Sequence, residues 1–259
     1  HRHFMLKEIH EQPAVIGDTL QTYLDPATRS ITLPALPLDW AKVSRITMTA
    51  CGTAYYACMV AKYWFEGLAR LPVEVEVASE LRYREPPLPE GGVCIAVSQS
   101  GETIDTLAAI RYAKAQKQTI LSVVNVPESA IARESHLVLP TLAGPEISVA
   151  STKATTTQLT VLLTLAIAAG RARGTLSAET EMRLALALSW PVLAKIRPSW
   201  PLSSSPVRVR VRSVCAATVP PALLSKLPAR TLSRPWLASW PPRFCRLPTF
   251  RLSGPPLAI

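Results

Sequence analysis

Short runs of apolar residues alternate with helical patterns along residues 44–196. Apolar stretches bounded by turn residues predict strands, and segments with apolar residues three or four apart predict helices. The predicted strands are 45–50, 73–78, 92–97, 119–124 and 136–140. The predicted helices are 53–70, 79–83, 102–116, 152–171 and 178–195, with a helical turn after Ser129. Strands that alternate with helices form a parallel sheet covered on both faces. Residues 36–196 are therefore predicted to be a three-layer α/β domain with a mainly parallel sheet flanked by helices.

Residues 1–35 are predicted to be an N-terminal helical segment followed by a linker. The stretch from Phe4 to Tyr23 has a polar helical pattern that contains Pro13. Proline lacks a backbone donor and clashes with the preceding turn, so a break is expected after Gln12. The Pro-rich residues 24–38 are expected to be the linker. Near the other end of the domain, Gly174 is expected to end one helix and Ser177 to cap the next.

Charge divides the chain near residue 196. Residues 1–196 contain all 18 acidic residues and 18 of the 28 basic ones, so their formal net charge is zero. The whole formal charge of +10 belongs to residues 197–259, which also contain 12 of the 24 prolines. A uniformly basic nucleic-acid-binding domain is thus excluded for the first 196 residues.

Residues 197–259 are predicted to be an irregular Pro/Arg-rich tail, for which two interpretations are possible. One is a disordered tail that attracts nucleic acid or acidic surfaces. The other is a shift of reading frame. Asp, Glu, Asn, Gln, His, Tyr and Lys share adenine at the middle codon position; residues 1–196 contain 42 of them, and the tail contains only Lys226. A bias against one codon base across chemically unlike side chains is not a selection on their chemistry. A frameshifted, disordered tail is therefore the favoured expectation.

Cysteine usage and hydropathy predict a reduced, cytoplasmic protein. The five cysteines are odd in number and show no C-x-x-C spacing, and the four histidines are scattered, so neither a metal site nor another cofactor is expected. The longest apolar stretch, 159–169, is too short to cross a bilayer, and no membrane partner is expected. The chain starts at His1 without a signal peptide or an initiator Met, which predicts a fragment.

The segment Ser98-Gln99-Ser100-Gly101-Glu102-Thr103 joins a predicted strand to a predicted helix. Its hydroxyls and amide surround a turn in which glycine lets the backbone approach a ligand closely. The first N–H groups of a helix are unpaired and carry a partial positive charge, so this turn suits a phosphate group without Lys or Arg. The same residues also fit a polar helix cap that binds nothing. The residues alone leave both interpretations open.

Two further segments precede predicted helices in the same way. Cys51-Gly52-Thr53 follows a predicted strand, and Val149–Lys153 precedes the long helix. A cysteine without a nearby histidine is more typical of a small buried apolar residue than of a nucleophile. In the third segment, Ser151 is an ordinary helix cap on the simpler interpretation. Because the loops after parallel strands meet at one edge of a sheet, the three segments are predicted to share a site.

With these segments the chain resembles the glutamine–fructose-6-phosphate aminotransferase family (isomerising; glucosamine-6-phosphate synthase). The resemblance is to the first sugar isomerase (SIS) domain of the isomerase half, and it extends from residue 2 to about residue 195. S-x-S-G-x-T occurs in SIS domains generally, whereas the N-terminal segment and V-A-S-T-K are specific to this family. The matching segments are R-H-F-M-L-K-E-I-H-E-Q-P (Arg2–Pro13), A-C-G-T-A-Y (Ala50–Tyr55), A-S-E-L-R-Y-R (Ala78–Arg84), S-Q-S-G-E-T-I-D-T-L (Ser98–Leu107), N-V-P-E-S (Asn125–Ser129) and E-I-S-V-A-S-T-K-A (Glu146–Ala154).

The resemblance implies a SIS-type fold and a site for fructose 6-phosphate. The family converts this sugar phosphate and glutamine into glucosamine 6-phosphate and glutamate, in hexosamine biosynthesis. Ala54 stands where the family commonly has Ser, so one sugar contact is expected to be missing. The residues implied for the phosphate are Ser98, Gln99, Ser100 and Thr103, assisted by Thr53. The residues implied around the sugar are Cys51, Gly52, Val149, Ala150 and Ser151.

The family also has parts whose motifs are not found in these 259 residues. They are a glutaminase domain with a cysteine nucleophile, a second SIS domain with an acid–base Glu and a ring-opening His, and a C-terminal Schiff-base Lys. The chain is therefore expected to bind the sugar phosphate without turning it over. Pairing of SIS domains in the family implies a homodimer.

Two other functions stay open at this point. One is a non-catalytic SIS sensor of sugar phosphates with a basic, nucleic-acid-binding tail, but the sequence shows no helix-turn-helix, and nucleic acid is not an expected partner. The other is a stand-alone sugar-phosphate isomerase, for which the three motifs lack a nearby acid–base pair.

Overall fold

The computed structural model describes residues 1–35 and 38–196, and the surroundings of side chains up to residue 188. All of these residues belong to one compact unit. The predictions for residues 197–259, a disordered tail of frameshifted origin, lie outside the described residues. Among the described helices, none is both long enough and apolar enough to cross a membrane.

The N-terminal segment is a single helix, α1 (Phe4–Tyr23), which passes through Pro13 without a break. The predicted break after Gln12 is therefore wrong. Pro13 removes the N–H that would bond the carbonyl of Ile9, four residues earlier. The side-chain amide of Gln12 donates to that carbonyl instead, at 3.2 Å. The Ile9 carbonyl oxygen thus keeps a hydrogen-bond donor, and the helix continues past Pro13.

Helix α1 is fastened to the domain at its C-terminal end. The Tyr23 side chain is fully buried, and its hydroxyl donates to the carbonyl oxygen of Pro140 at 2.7 Å. Burial raises the pKa of Tyr23 above its ordinary value. The predicted linker that follows contains a two-stranded antiparallel ribbon, β1 (Leu24–Asp25) and β2 (Ser30–Ile31).

A five-stranded parallel sheet forms the middle layer of the domain, as predicted. Its strand order is β4-β3-β5-β6-β7, so β3 lies between β4 and β5. Ile46 of β3 is paired with both Val73 of β4 and Val93 of β5. The strands are β3 (Ile46–Ala50), β4 (Val73–Val77), β5 (Val93–Ser98), β6 (Thr119–Val124) and β7 (Leu137–Pro140).

Helices cover the sheet on both faces, which confirms the predicted three layers. On one face, alternate strand residues such as Met48, Ile95 and Val97 pack in a core cluster with helices α2 and α6. On the other face, Cys94, Ala96 and Ile120 pack with α4 and α5. The helices are α2 (Thr53–Trp64), which continues as a π-helical turn (Phe65–Ala69), α3 (Ala78–Arg84), α4 (Ile104–Ala115), α5 (Ala130–Glu134), α6 (Lys153–Ala172) and α7 (Ala178–Ile196).

The predicted signals between α6 and α7 are confirmed. Gly174 follows α6 with a φ of 71°, the left-handed conformation that glycine adopts without strain. The Ser177 hydroxyl accepts a hydrogen bond from the N–H of Thr180 at 3.2 Å, as an N-cap residue does.

Cys51, Cys58 and Cys94 carry free thiols. Cys58 and Cys94 are fully buried. Burial raises the pKa of both thiols, that of Cys94 to about 12. A protonated, inaccessible thiol is a poor nucleophile, so these two cysteines serve packing.

The replacement bond at Pro13 can be measured by a double-mutant cycle. We expect Gln12→Ala to lower the free energy of unfolding by about 0.5–1.5 kcal/mol. In a Pro13→Ala background the backbone N–H of residue 13 bonds Ile9 again, so the same substitution should cost less. Urea unfolding followed by circular dichroism measures both. Gln21→Ala, at an exposed position of the same helix, is the control. An equal cost in both backgrounds contradicts the role given to Gln12.

Candidate functional site

The strand order places a crevice at the carboxyl end of the sheet. From β3 the chain moves outward to β4, then crosses back to β5 on the other side of β3. The order of strands therefore reverses between β3 and β5. In open α/β sheets, ligands bind outside the carboxyl ends of the strands at such a reversal. Cys51 directly follows β3, and Ser98 is the last residue of β5, so two of the three predicted segments meet here.

A pocket of about 180 Å³ lies at this position. Seven of the ten predicted site residues line it together. Three further lining residues were not in the predicted set. The lining residues are Cys51, Thr53, Ala54, Val97, Ser98, Gln99, Ser100, Thr103, Ser151 and Gln158.

The other three predicted residues lie beside the pocket wall and are not part of it. Gly52 precedes α2 with a φ of 59° and sits between two lining residues. Val149 and Ala150 are exposed on the loop before α6.

The turn from Ser98 to Thr103 is held by its own hydroxyls. Ser98 is 4% exposed, and its Oγ accepts from the N–H of Gly101 at 3.0 Å and lies 3.3 Å from the Oγ1 of Thr103. The Oγ of Ser100 accepts from the N–H of Glu102 at 3.2 Å. These bonds fix a tight turn at the carboxyl end of β5, and Ser98, Ser100 and Thr103 all line the pocket.

Gly101 is required at the centre of this turn. Its φ is 68°, and a Cβ added to it would lie 1.9 Å from the Oγ of Ser129. Both the backbone conformation and the close approach of the β6–α5 loop therefore exclude a larger residue.

Helix α4 begins at the pocket without a side-chain cap. Its N-cap residue, Thr103, makes no capping hydrogen bond with its side chain. In two neighbouring helices, carboxylates accept from the first N–H groups instead. Glu102 accepts from the N–H of Ala130 in α5 at 2.8 Å. Glu146 accepts from the N–H groups of Thr152 and Ala154 at the start of α6, at 2.8 and 3.2 Å. An anion at this edge would therefore meet open N–H groups at α4.

The pocket wall carries almost no ionisable chemistry. None of its ten lining residues carries a carboxylate, imidazole, amine or guanidinium group, and Cys51 contributes a thiol. Its Sγ lies 4.0 Å from the Oγ1 of Thr106, which donates to it, and no lining residue is a base. Within the described part of the chain, no group of three or more His, Cys, Asp or Glu is arranged to hold a metal ion. The attraction for an anion must therefore come from hydroxyls, the amide of Gln99 and the helix N-terminus.

Helix α1 fixes the loop that carries the third segment. The Glu8 side chain, 2% exposed, accepts hydrogen bonds from the N–H of Ile147 at 2.6 Å and from the N–H and hydroxyl of Ser148. Lys153, buried at the start of α6, pairs with Glu11 at 2.8 Å. The hydrogen bond from the Ser148 hydroxyl, supported by the two backbone donors, lowers the pKa of Glu8. The N-terminal helix therefore positions the residues just before Ser151.

The chain can now be compared with known proteins. The sequence model of the SIS domain matches residues 40–168, which include β3 to β7 and most of α6. Residues 40–168 therefore form a SIS domain. The match begins close to the predicted domain boundary at residue 36, although that boundary itself stays a prediction.

The similar proteins are aminotransferases. A glutamine–fructose-6-phosphate aminotransferase (isomerising) from Bradyrhizobium diazoefficiens is 66% identical over 185 residues, which are 71% of this chain and 30% of that protein. The enzyme of the same name from Gluconobacter oxydans is 58% identical over 188 residues, 73% of this chain and 31% of that protein. The chain thus spans about a third of the length of the curated relatives it matches.

A solved structure agrees with these sequences. The C-terminal domain of glucosamine-fructose-6-phosphate aminotransferase from Francisella tularensis superimposes with a TM-score of 0.71 at 38% identity. The superposition covers 75% of this chain and 55% of that chain. Homology to the isomerase half of these aminotransferases is therefore supported by both sequence and fold, as the resemblance predicted.

The contact between Glu8 and the loop before α6 should make the thermal stability of the protein depend on pH. A lowered pKa in the folded state stabilises the fold above the ordinary Glu value of 4.5, and this stabilisation is lost as the pH falls through the folded pKa. We expect Glu8→Gln to lower the melting temperature at pH 7 and to flatten its decline between about pH 5 and pH 3. Differential scanning calorimetry at several pH values measures this. Glu128→Gln, at an exposed position, is the control, and identical pH profiles for wild type and Glu8→Gln contradict the contact.

Proposed function

We propose that this chain binds fructose 6-phosphate, as the first SIS domain of the isomerase half of a glutamine–fructose-6-phosphate aminotransferase. One observation carries the proposal: a pocket lined by hydroxyls lies at the uncapped N-terminus of α4, where the strand order reverses. The high identity to aminotransferases of that name supports the choice of ligand. In this proposal the longer protein makes glucosamine 6-phosphate and glutamate for hexosamine biosynthesis in the cytoplasm.

The phosphate is assigned to the turn before α4. Ser98, Gln99, Ser100 and Thr103 supply hydroxyl and amide donors, and Thr53 faces the same pocket from the start of α2. The partial positive charge at the N-terminus of α4 adds to these donors. This mode of binding needs no Lys or Arg, which agrees with the absence of cationic side chains from the pocket wall.

The sugar is assigned to the opposite side of the pocket and to the loop beyond its rim. The volume of about 180 Å³ is below the roughly 300–1,000 Å³ of typical ligand sites, so a sugar phosphate extends out of the pocket. Cys51 and Ser151 line the pocket, and we assign Gly52, Val149 and Ala150 to the part of the sugar phosphate that extends out of it. This assignment accounts for the exposure of the loop residues.

The affinity is expected to be modest. A hydrogen bond to a charged group contributes about 1.5–3 kcal/mol. Three or four such bonds must offset an association cost of about 4–15 kcal/mol. A micromolar to millimolar dissociation constant follows more readily from these magnitudes than a nanomolar one.

Binding without turnover is the second part of the proposal. Isomerisation of a sugar phosphate needs a group that moves protons between neighbouring carbons. The lining residues include no carboxylate, imidazole or amine. In this proposal the acid–base groups belong to parts of the longer relatives that this chain does not span.

The phosphate assignment predicts the effect of removing two hydroxyls. Ser100→Ala with Thr103→Ala should weaken fructose 6-phosphate binding by about a hundredfold, because two hydrogen bonds to a charged group are lost. Isothermal titration calorimetry on the full chain measures it. Thr22→Ala with Ser44→Ala removes one hydroxyl of each kind at exposed positions away from the pocket and should bind like wild type. Equal affinity of all three proteins overturns the assignment.

The absence of turnover is checked with the same samples. Purified chain incubated with fructose 6-phosphate and ammonia should form no glucosamine 6-phosphate above the rate without protein, because the pocket wall offers no proton-transfer group. Mass spectrometry of the reaction mixture measures the product. Product formation that is lost in the Ser100→Ala, Thr103→Ala variant would show that the chain is catalytic.

A further inference from the structure

One buried polar side chain in the pocket wall has an oxygen atom without a hydrogen-bond partner in the fold. Gln158, on the second turn of α6, is 2% exposed and lines the pocket. Its Oε1 is buried and has no hydrogen-bond partner among the described residues. Buried side-chain amides in proteins are nearly always hydrogen-bonded, because an unpaired one keeps the full penalty of desolvation. A leucine or methionine would fill this space without that penalty.

The other buried side-chain atoms without a hydrogen-bond partner do not line the pocket. Within the described residues, five buried side-chain atoms lack a partner: Trp40 Nε1, Thr49 Oγ1, Ser122 Oγ, Ser129 Oγ and Gln158 Oε1. Only Gln158 among these five residues lines the candidate pocket. Its carboxamide is also the one group of the five that carries both a strong acceptor and two N–H donors. The partner that the fold does not supply can therefore come from the pocket.

Gln158 lies on the side of the sheet opposite to the phosphate turn. Side chains alternate along a strand, and Val97 packs with α2 and α6, so Ser98 points toward the face covered by α4. Gln158 shares the pocket wall with Val97 and with Ala54 of α2. On α6 it follows Ser151 by two turns, and Thr155 between them donates to the Ser151 hydroxyl at 3.0 Å. Gln158 therefore faces the part of the pocket assigned to the sugar.

The chemistry of a carboxamide matches a sugar hydroxyl. A hydroxyl both donates and accepts, and a neutral amide does the same, whereas a phosphate group only accepts at its charged oxygens. A buried amide that is unpaired in the empty pocket also rejects a ligand that lacks the hydroxyl, because that ligand leaves the amide unpaired.

We propose that Gln158 is a specificity-determining residue that hydrogen-bonds a hydroxyl group on the sugar part of a sugar phosphate bound between Ser151 and the Ser98–Thr103 turn. This rests on the proposed function, since it assumes that the pocket binds a sugar phosphate. It adds a residue on α6 to the three segments predicted from sequence, and it assigns that residue to the sugar and not to the phosphate.

The test compares two buried glutamines in the full chain. Gln118 is also buried, at 3% exposure, but its Nε2 donates to the carbonyl oxygens of Pro89 and Gln116 at 2.8 and 3.2 Å. Gln118→Leu should lower the melting temperature, because it removes made bonds. Gln158→Leu should leave the melting temperature unchanged or raise it, because it removes an unpaired group. Gln158→Met, which keeps the length of the side chain, is the second variant if leucine does not fit.

Binding is then measured by calorimetry with fructose 6-phosphate and, separately, with inorganic phosphate. Gln158→Leu should weaken fructose 6-phosphate binding about three- to tenfold and leave phosphate binding unchanged, because one neutral hydrogen bond is lost. Unchanged fructose 6-phosphate binding overturns the role of Gln158 while the proposed function stands. Equal weakening of both ligands, or a fall in melting temperature like that of Gln118→Leu, shows a structural role and also overturns it. If wild type binds neither ligand, the proposed function fails, and the role of Gln158 fails with it.

Discussion

Parallel pairing of β3 with both β4 and β5 is the constraint on which the site depends. Because β3 has neighbours on both sides that run in its own direction, its carboxyl end and that of β5 lie side by side. Helices α2 and α4 must then start from adjacent points and diverge to opposite faces of the sheet. The space between their first turns is the pocket. No residue in the pocket creates this space; the residues only determine what it can hold.

The helices that begin at this edge of the sheet differ in whether a carboxylate caps their first N–H groups. Glu102 and Glu146 satisfy the first N–H groups of α5 and α6 with carboxylate oxygens. Negative charge at those positions also opposes the approach of a second anion. No carboxylate of the described residues accepts from the first N–H groups of α4, because Asp105 in its first turn pairs with Arg82 at 2.8 Å instead. The N-cap of this helix lines the pocket. A domain with a formal net charge of zero over residues 1–196 can therefore still attract a phosphate group, because the attraction is local and comes from the backbone.

Much of the fold followed from the sequence, for reasons visible in particular residues. The five strands are short and four of them are almost wholly apolar or small, while β4 alternates Val with Glu, so each was found within about two residues of its observed ends. Gly174 and Ser177 were also recognisable, because their roles depend on local backbone chemistry alone. The predicted break at Pro13 was wrong because the side-chain amide of Gln12 replaces the missing backbone donor. The direction of that side chain cannot be deduced from the order of residues.

The site could be predicted only as far as local motifs extend. Ser98, Ser100 and Thr103 stand at a strand-to-helix junction that a sequence pattern can show. Gln158 gives no such signal, since it lies within a helix and reaches the pocket only because α6 packs across the sheet. The contact of Glu8 with Ile147 joins residues more than a hundred positions apart. Interactions of this kind depend on tertiary packing, so the order of residues does not show them.

The close approach of Gly101 to Ser129 also limits the size of the side chains that the two loops can carry. A Cβ at position 101 would lie 2.4 Å from the Cβ of Ser129 as well as 1.9 Å from its hydroxyl oxygen. Replacing Ser129 by alanine would therefore not make room for a side chain at 101, because the Cβ at 129 would remain; only glycine at 129 would remove both contacts. The residue at 129 therefore limits which residues are possible at 101, although the two positions belong to different loops. A side chain at 101 would in any case be strained, because the φ of Gly101 is 68°. The turn before α4 therefore depends on glycine for two independent reasons.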